Sequence, residues 1–106
     1  MADIQIDLTE PSQTVQVRPG DSVRLCLAES PTTGYLWELL EALPSGVVEE
    51  PAVFEGGGGA IGEAGKRCFA LRFRVPIEIR LTYVLRRPWA PDQIEKRVSV
   101  RLVCTD

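Results

Sequence analysis

Apolar and polar residues alternate with a period of two along most of this chain, which is typical of strands with one buried face. Residues 36–43 could also form a short helix, but the aromatic residues Tyr35 and Trp37 and the turn residues around them favour a strand. The alternating apolar positions, in chain order, are Ile4, Ile6 and Leu8; Val15 and Val17; Val23, Leu25 and Leu27; Tyr35, Trp37 and Leu39; Phe69, Leu71, Phe73 and Val75; Ile79, Leu81 and Tyr83; and Val98, Val100 and Leu102.

Proline and glycine separate these runs from one another. They occur at residues 19–21, 30–34, 44–46, 56–59, 75–76 and 88–91, and such clusters mark turns and loops. A chain of 106 residues has the usual size of one domain and can bury a core without metal or disulfide support. The pattern predicts one all-β domain over residues 1–106, an immunoglobulin-like antiparallel β-sandwich of about seven to eight strands.

Three unusual loops should lie at the same end of this sandwich. Two antiparallel strands return the chain to the end that it left. Two strands, near 36–41 and 46–54, separate the loop at 30–35 from the glycine-rich loop at 55–66. Two more, near 67–75 and 78–86, precede the loop at 86–91. We therefore expect the three loops to form one composite binding surface on a stiff scaffold.

The composition argues against most kinds of enzyme. The chain contains no His, so it cannot by itself form a Ser-His-Asp triad, a Cys-His pair or a His-ligated zinc site. Glu49, Glu50 and Glu63 are loosely clustered acids, but they lack partners suited to acid–base catalysis. No run of 18 apolar residues occurs, so we expect no membrane span. We also expect no cofactor and no bound metal.

Charge is unevenly distributed along the chain. Residues 1–65 hold 2 basic and 11 acidic residues, whereas residues 66–106 hold 10 basic and 4 acidic residues. A basic half could indicate nucleic-acid binding. However, its arginines alternate along strands instead of forming a basic run, which favours ion pairs between neighbouring acidic and basic strands. We therefore expect no nucleic-acid partner.

The cysteines and the N-terminus carry weaker information. Cys26, Cys68 and Cys104 are isolated and form no C-x-x-C motif. Three cysteines cannot all pair, so we expect buried, reduced thiols. The start, Met1-Ala2-Asp3-Ile4, has neither the basic nor the apolar region of a signal peptide. The sequence leaves open whether this is a cytoplasmic protein or the mature form of a periplasmic or secreted one.

Each loop has a plain structural interpretation beside a functional one. Ser30-Pro31-Thr32-Thr33-Gly34-Tyr35 has a small, uncharged tip that could enter a narrow cleft, or it is an ordinary turn. The glycine-rich loop lacks a G-x-x-x-x-G-K-[ST] motif, so it predicts no nucleotide site. It is either a loop that orders on contact or a solvated connection.

The third loop, Arg86-Arg87-Pro88-Trp89-Ala90-Pro91, is the most informative. Trp89 lies between two prolines and should be exposed, as binding anchors on stiff loops are. The alternative is that Trp89 folds back over the end of the sandwich as a lid. Trp37, within an alternating strand, should instead belong to the core.

Together the three loops resemble the chagasin-like inhibitors of papain-family cysteine proteases. That family carries N-P-T-T-G-[YF], G-x-G-G and R-P-W motifs in this order. Here they appear as S-P-T-T-G-Y at 30–35, G-E-A-G at 62–65 followed by Phe69, and R-P-W at 87–89, with L-T-Y at 81–83 also similar. Ser30 replaces the family Asn, Ala64 replaces a Gly, two extra residues separate Tyr83 from Arg87, and residues 56–59 resemble an insertion.

This resemblance implies an inhibitor with no catalytic residue. We expect a monomer, and the sequence leaves the oligomeric state open. The Thr-Thr-Gly loop would cover the catalytic centre of a papain-like cysteine protease, the R-P-W loop would pack its Trp on one side, and the glycine-rich loop would cover the other side. The competing interpretation is an immunoglobulin-like adhesion or assembly module without a protease target. The protease-binding residues that the resemblance implies are Pro31, Thr32, Thr33, Gly34, Tyr35, Gly62, Glu63, Ala64, Gly65, Arg87, Pro88 and Trp89.

Overall fold

The computed structural model describes residues 2–30, 33–55 and 65–106. In these ranges the chain forms nine strands and no helix, and therefore no helix that could cross a membrane. The strands are β1 (Asp3–Asp7), β2 (Ser12–Val17), β3 (Ser22–Glu29), β4 (Leu36–Leu39), β5 (Val47–Glu49), β6 (Val53–Glu55), β7 (Gly65–Phe73), β8 (Ile77–Arg86) and β9 (Ile94–Cys104). Residues 36–39 are thus a strand and not a helix, as predicted.

The strands form two sheets packed face to face. The first sheet has the order β1-β3-β7, with β5 and β6 both paired to the far side of β7, and the second has the order β2-β9-β8-β4. Most of the alternating apolar positions face each other between the sheets, with Leu25, Leu71, Phe73, Tyr83 and Leu102 fully buried. Val75 is an exception, since it lies beyond the end of β7 and is exposed. The predicted immunoglobulin-like β-sandwich is confirmed.

Two details of the strands differ from the prediction. Of the seven pairings among described residues, five are antiparallel, whereas β1–β3 and β2–β9 are parallel. The chain passes from the first sheet to the second between β1 and β2, so each parallel pair has the long connection that such pairing needs. The strand expected at 46–54 is divided into β5 and β6 around Pro51, which has no N–H to donate to β7.

The cysteine prediction is wrong for two of the three residues. Cys26 and Cys68 are direct partners on β3 and β7, with Cα atoms 4.1 Å apart, and they form a disulfide. The odd cysteine count showed only that one thiol must remain unpaired, and the strand register decides which one. Cys104 is that free thiol, and it is buried as expected.

Three of the five ion pairs among the described residues join the acidic first part of the chain to its basic second part. Acidic residues of the first 65 positions pair with basic residues of the rest in Asp7–Lys66, Glu29–Arg67 and Glu38–Arg86. In each case the two side chains come from neighbouring strands or, for Asp7, from strands on either side of β3. The expected cross-strand pairing is therefore confirmed.

Candidate functional site

The three loops leave the sandwich at one end. The loop at 30–35 follows the last residue of β3, Glu29, which is paired in register with Gly65, the first residue of β7. Glu55, the last residue of β6, is paired with Lys66. The two described residues that flank the glycine-rich loop therefore lie beside the base of the first loop. Of the predicted site residues, Pro31, Thr32, Gly62, Glu63 and Ala64 lie outside the described residues.

The first loop is organised by its second threonine. The Thr33 hydroxyl donates to the carbonyl oxygen of Ser30 at 3.0 Å, and it accepts from the backbone N–H of Tyr35 at 3.3 Å. This short side chain thus replaces the backbone hydrogen bonds that a sheet would supply. Gly34 has φ = 79°, a left-handed conformation that is costly for any residue with a Cβ.

The third loop is two successive tight turns. The backbone N–H of Ala90 donates to the carbonyl of Arg87 at 3.0 Å, and that of Gln93 donates to Ala90, also at 3.0 Å. Pro88 and Pro91 each occupy the second position of a turn, where the fixed φ of proline is favourable. The prolines therefore hold Trp89 on a stiff segment.

Trp89 projects from the sandwich and touches the first loop. Its side chain is 71% exposed, more than any other large apolar residue in the described part of the chain. A Cβ placed on Gly34 would lie only 2.6 Å from Cη2 of the indole, so the ring edge packs directly on the glycine backbone. Trp89 is therefore exposed as predicted, and it is not a lid over the core. Trp37 is buried, as expected.

Arg87 connects the two loops. Its guanidinium lies 4.3 Å from the ring centroid of Tyr35 and 5.8 Å from that of Trp89. Its Nε donates to the carbonyl oxygen of Thr33 at 3.2 Å. The guanidinium of Arg87 therefore contacts an aromatic ring from each loop, and its hydrogen bond holds the backbone of the first loop at Thr33. Thr33, Gly34, Tyr35, Arg87 and Trp89 form one continuous surface, which we call the loop platform.

Residues that the motifs did not include support the loop platform. Arg86 pairs with Glu38 on β4 and donates from Nη1 to the carbonyl oxygen of Pro91 at 3.1 Å. The Trp37 indole N–H donates to the carbonyl oxygen of Ala28 at 2.8 Å. Glu29, buried beneath the platform, bonds to the backbone of Trp37 and to Arg67. The strand alternation could have identified Glu29, because it is in phase with Val23, Leu25 and Leu27.

The chemistry of the platform suits contact with another molecule. It presents an exposed indole, a threonine and a glycine backbone, together with the partly exposed Tyr35 and Arg87. These groups offer no nucleophile paired with a base. Within the described ranges, no three Cys, Asp or Glu side chains are grouped so that they could hold a metal ion.

Comparison with known proteins gives a family. Residues 16–103 match the family described as "Chagasin family peptidase inhibitor I42". The match includes β3 to β8 in full, the last two residues of β2 and all of β9 except Cys104, and it therefore spans the first and third loops. No curated protein matches the chain significantly.

Several solved structures share the fold. The cysteine protease inhibitor EhICP2 from Entamoeba histolytica superposes with a TM-score of 0.83 at 18% identity, covering 98% of this chain and 96% of that one. Amebosin gives a TM-score of 0.74 at 21% identity, with coverage of 96% and 97%. PbICP-C, solved in complex with falcipain-2, gives 0.68 at 14% identity, with coverage of 95% and 97%.

Proposed function

The chain belongs to the chagasin family of peptidase inhibitors, and we propose that it inhibits papain-like cysteine proteases reversibly by placing its loop end in their active-site cleft. The observation that carries the proposal is the contact between the two described loops. Trp89 packs on Gly34 while remaining 71% exposed, so a large apolar anchor and a small uncharged tip form one surface. Two of the solved structures that share the fold belong to a cysteine protease inhibitor and to a complex with falcipain-2.

The proposed mechanism is occlusion of the cleft. The segment around Thr33 would cover the catalytic centre, offering backbone and a small hydroxyl but no scissile bond in position to be cleaved. Trp89, Pro88 and Arg87 would contact the protease on one side, and the glycine-rich segment up to Gly65 on the other. Because the sandwich and the Arg87 contacts already hold the loops, little conformational entropy is lost on binding, and the contacts contribute more fully to affinity.

The proposed protease-binding residues include members that the structure does not describe. We retain Pro31, Thr32, Gly62, Glu63 and Ala64 because their motifs adjoin the described parts of the same loops. An adhesion or assembly module is the weaker hypothesis, because the family to which the chain belongs consists of peptidase inhibitors.

Titration of papain or a cathepsin with the purified protein tests the proposal. Activity should fall to near zero at micromolar inhibitor or below and should return on dilution, because no covalent bond forms. The inhibitor should be recovered uncleaved. Full protease activity at micromolar inhibitor would contradict the proposal.

A further inference from the structure

A carboxylate is buried directly beneath the loop platform. Glu29, the last residue of β3, faces the interior between the sheets, and its side chain is only 1% exposed. A buried charge is costly unless it is paired and hydrogen-bonded. The partners of Glu29 therefore show what this position does in the fold.

The two oxygens of Glu29 bind different parts of the loop end. Oε1 accepts from the backbone N–H of Trp37 at 2.9 Å. Oε2 accepts from Nε and Nη2 of Arg67 at 3.0 and 2.8 Å. The guanidinium carbon of Arg67 lies 5.2 Å from the ring centroid of Phe54. Glu29, which precedes the first loop, thus contacts Trp37, which follows it. Through Arg67, which follows the glycine-rich segment, it is also linked to Phe54, which precedes that segment.

These contacts replace a backbone connection that the fold lacks. The first loop passes from β3 in one sheet to β4 in the other, so no ladder of backbone hydrogen bonds sets the distance between its two ends. Two side chains do so reciprocally: Glu29 accepts from the backbone of Trp37, and the Trp37 indole donates to the backbone of Ala28. These two hydrogen bonds therefore join the two ends of the first loop directly.

We propose that Glu29 is a positioning residue for protease binding. It sets the separation between the ends of the first loop, and through Arg67 it couples that loop to the strands that carry the glycine-rich segment. This inference rests on the proposed function, since it concerns how the same surface is prepared for its partner.

The alternative is that Glu29 and Arg67 form an ion pair that serves stability alone. Replacing a buried pair with apolar residues of similar volume is often neutral or stabilising. The double variant Glu29→Met with Arg67→Met should therefore fold, but it lacks an acceptor for the Trp37 N–H. Glu29→Gln is the less drastic variant. The amide oxygen of the glutamine can still accept from the Trp37 N–H, but its NH₂ group would face the N–H donors of Arg67 and could not accept from them.

The test is the rate of association with papain, measured together with the dissociation rate. If Glu29 prepares the loops, its loss lowers the fraction of molecules ready to bind, and the association rate constant should fall about tenfold in the double variant and less in Glu29→Gln. The dissociation rate should change less. Glu78→Gln is the control for loss of an ion pair away from the loops, because Glu78 pairs with Arg101 at 2.6 Å on the protein surface, at the end of β8 that is farther from the loop platform.

Parent-like association in a folded double variant would overturn the inference, and so would an equal loss in Glu78→Gln. A parent protein that does not bind papain would instead defeat the proposed function. Amide exchange then tests the positioning alone: the N–H groups of Thr33 and Tyr35 should exchange faster in the double variant than in Glu78→Gln. Equal exchange in the two variants would overturn it.

Discussion

Among single residues, Gly34 and Trp89 constrain each other most directly. Gly34 needs the left-handed backbone conformation, and it also needs the absence of a Cβ, because the indole occupies that space. These are separate requirements. The positive φ affects the stability of the backbone, whereas the space for the indole affects the surface offered to a partner. Substitutions can therefore distinguish the two requirements.

Gly34→Ala should weaken both folding and inhibition. The left-handed conformation should cost about 1–2 kcal/mol of stability, and the added methyl group should displace the indole. Gly20→Ala is the control, because Gly20 has φ = 93° and a Cβ there would meet no atom within 4 Å. Denaturant unfolding should show similar losses for the two variants, whereas the inhibition constant should rise only for Gly34→Ala. An unchanged constant for Gly34→Ala would remove this contact from the binding surface.

Trp89→Ala should weaken protease binding without unfolding the protein. The side chain is 71% exposed, so its loss removes little core packing, while an aromatic anchor in an interface is worth roughly 1–4 kcal/mol. The inhibition constant measures the effect, and the dissociation rate should carry most of it. Val75→Ala, which removes an exposed apolar side chain at the opposite end, should leave inhibition unchanged. If Trp89→Ala inhibits as well as the parent, the anchor role is wrong.

Among the strands, β3 and β7 are the two that hold the loop end together. They lead into the first loop and out of the glycine-rich segment, and they are joined by both the Cys26–Cys68 disulfide and the Glu29–Arg67 ion pair. The disulfide lies on the outer face of the first sheet, where Asp7–Lys66 and Arg24–Glu55 flank it. The two strands are therefore linked on both faces of the sheet, by the disulfide on the outer face and by the ion pair on the inner face.

Reduction of the disulfide should lower stability. A crosslink between residues 42 positions apart restricts the unfolded chain, and losing one typically costs about 2–4 kcal/mol. Urea unfolding with and without a thiol reductant measures this. The variant with Cys26→Ala and Cys68→Ala should unfold near the reduced parent and should not respond to reductant. Identical midpoints for the parent with and without reductant would contradict the disulfide.

Most strands could be predicted from alternation because a half-buried strand has a period of two, and the core of this fold follows that pattern closely. Pairing could not be predicted as well. The parallel pairs depend on where the chain passes between sheets, and the Cys26–Cys68 bond depends on the register of β3 against β7. Neither the parallel pairing nor the disulfide can be derived from the order of apolar and polar residues within one strand.

The loop end was only partly predictable for a similar reason. The motifs identified Thr33, Gly34 and Trp89, and strand parity placed their loops together. Glu29 and Arg67, the ion pair that we propose positions these loops, belong to no motif. In the sequence, each is a charged residue at a position where the strand alternation predicts a buried side chain. An ion pair between them can be predicted only once β3 and β7 are known to be neighbours.

At the scale of the molecule, the described residues form a packed scaffold with the loop platform at one end. The core, the disulfide and the buried ion pair fix the strands, and the strands fix the loops. The inhibitor is therefore expected to enter the protease cleft with its loops already arranged. The central claim is that the cleft itself is the binding site.

The most direct test is the affinity for papain with an open cleft and with a filled one. In both forms the catalytic cysteine is blocked, by a methylthio group in the first and by a bulky covalent peptidyl inhibitor in the second. We predict tight binding to the first form and binding at least about 100-fold weaker, or about 2.7 kcal/mol, to the second. Equal affinity for the two forms would contradict the claim.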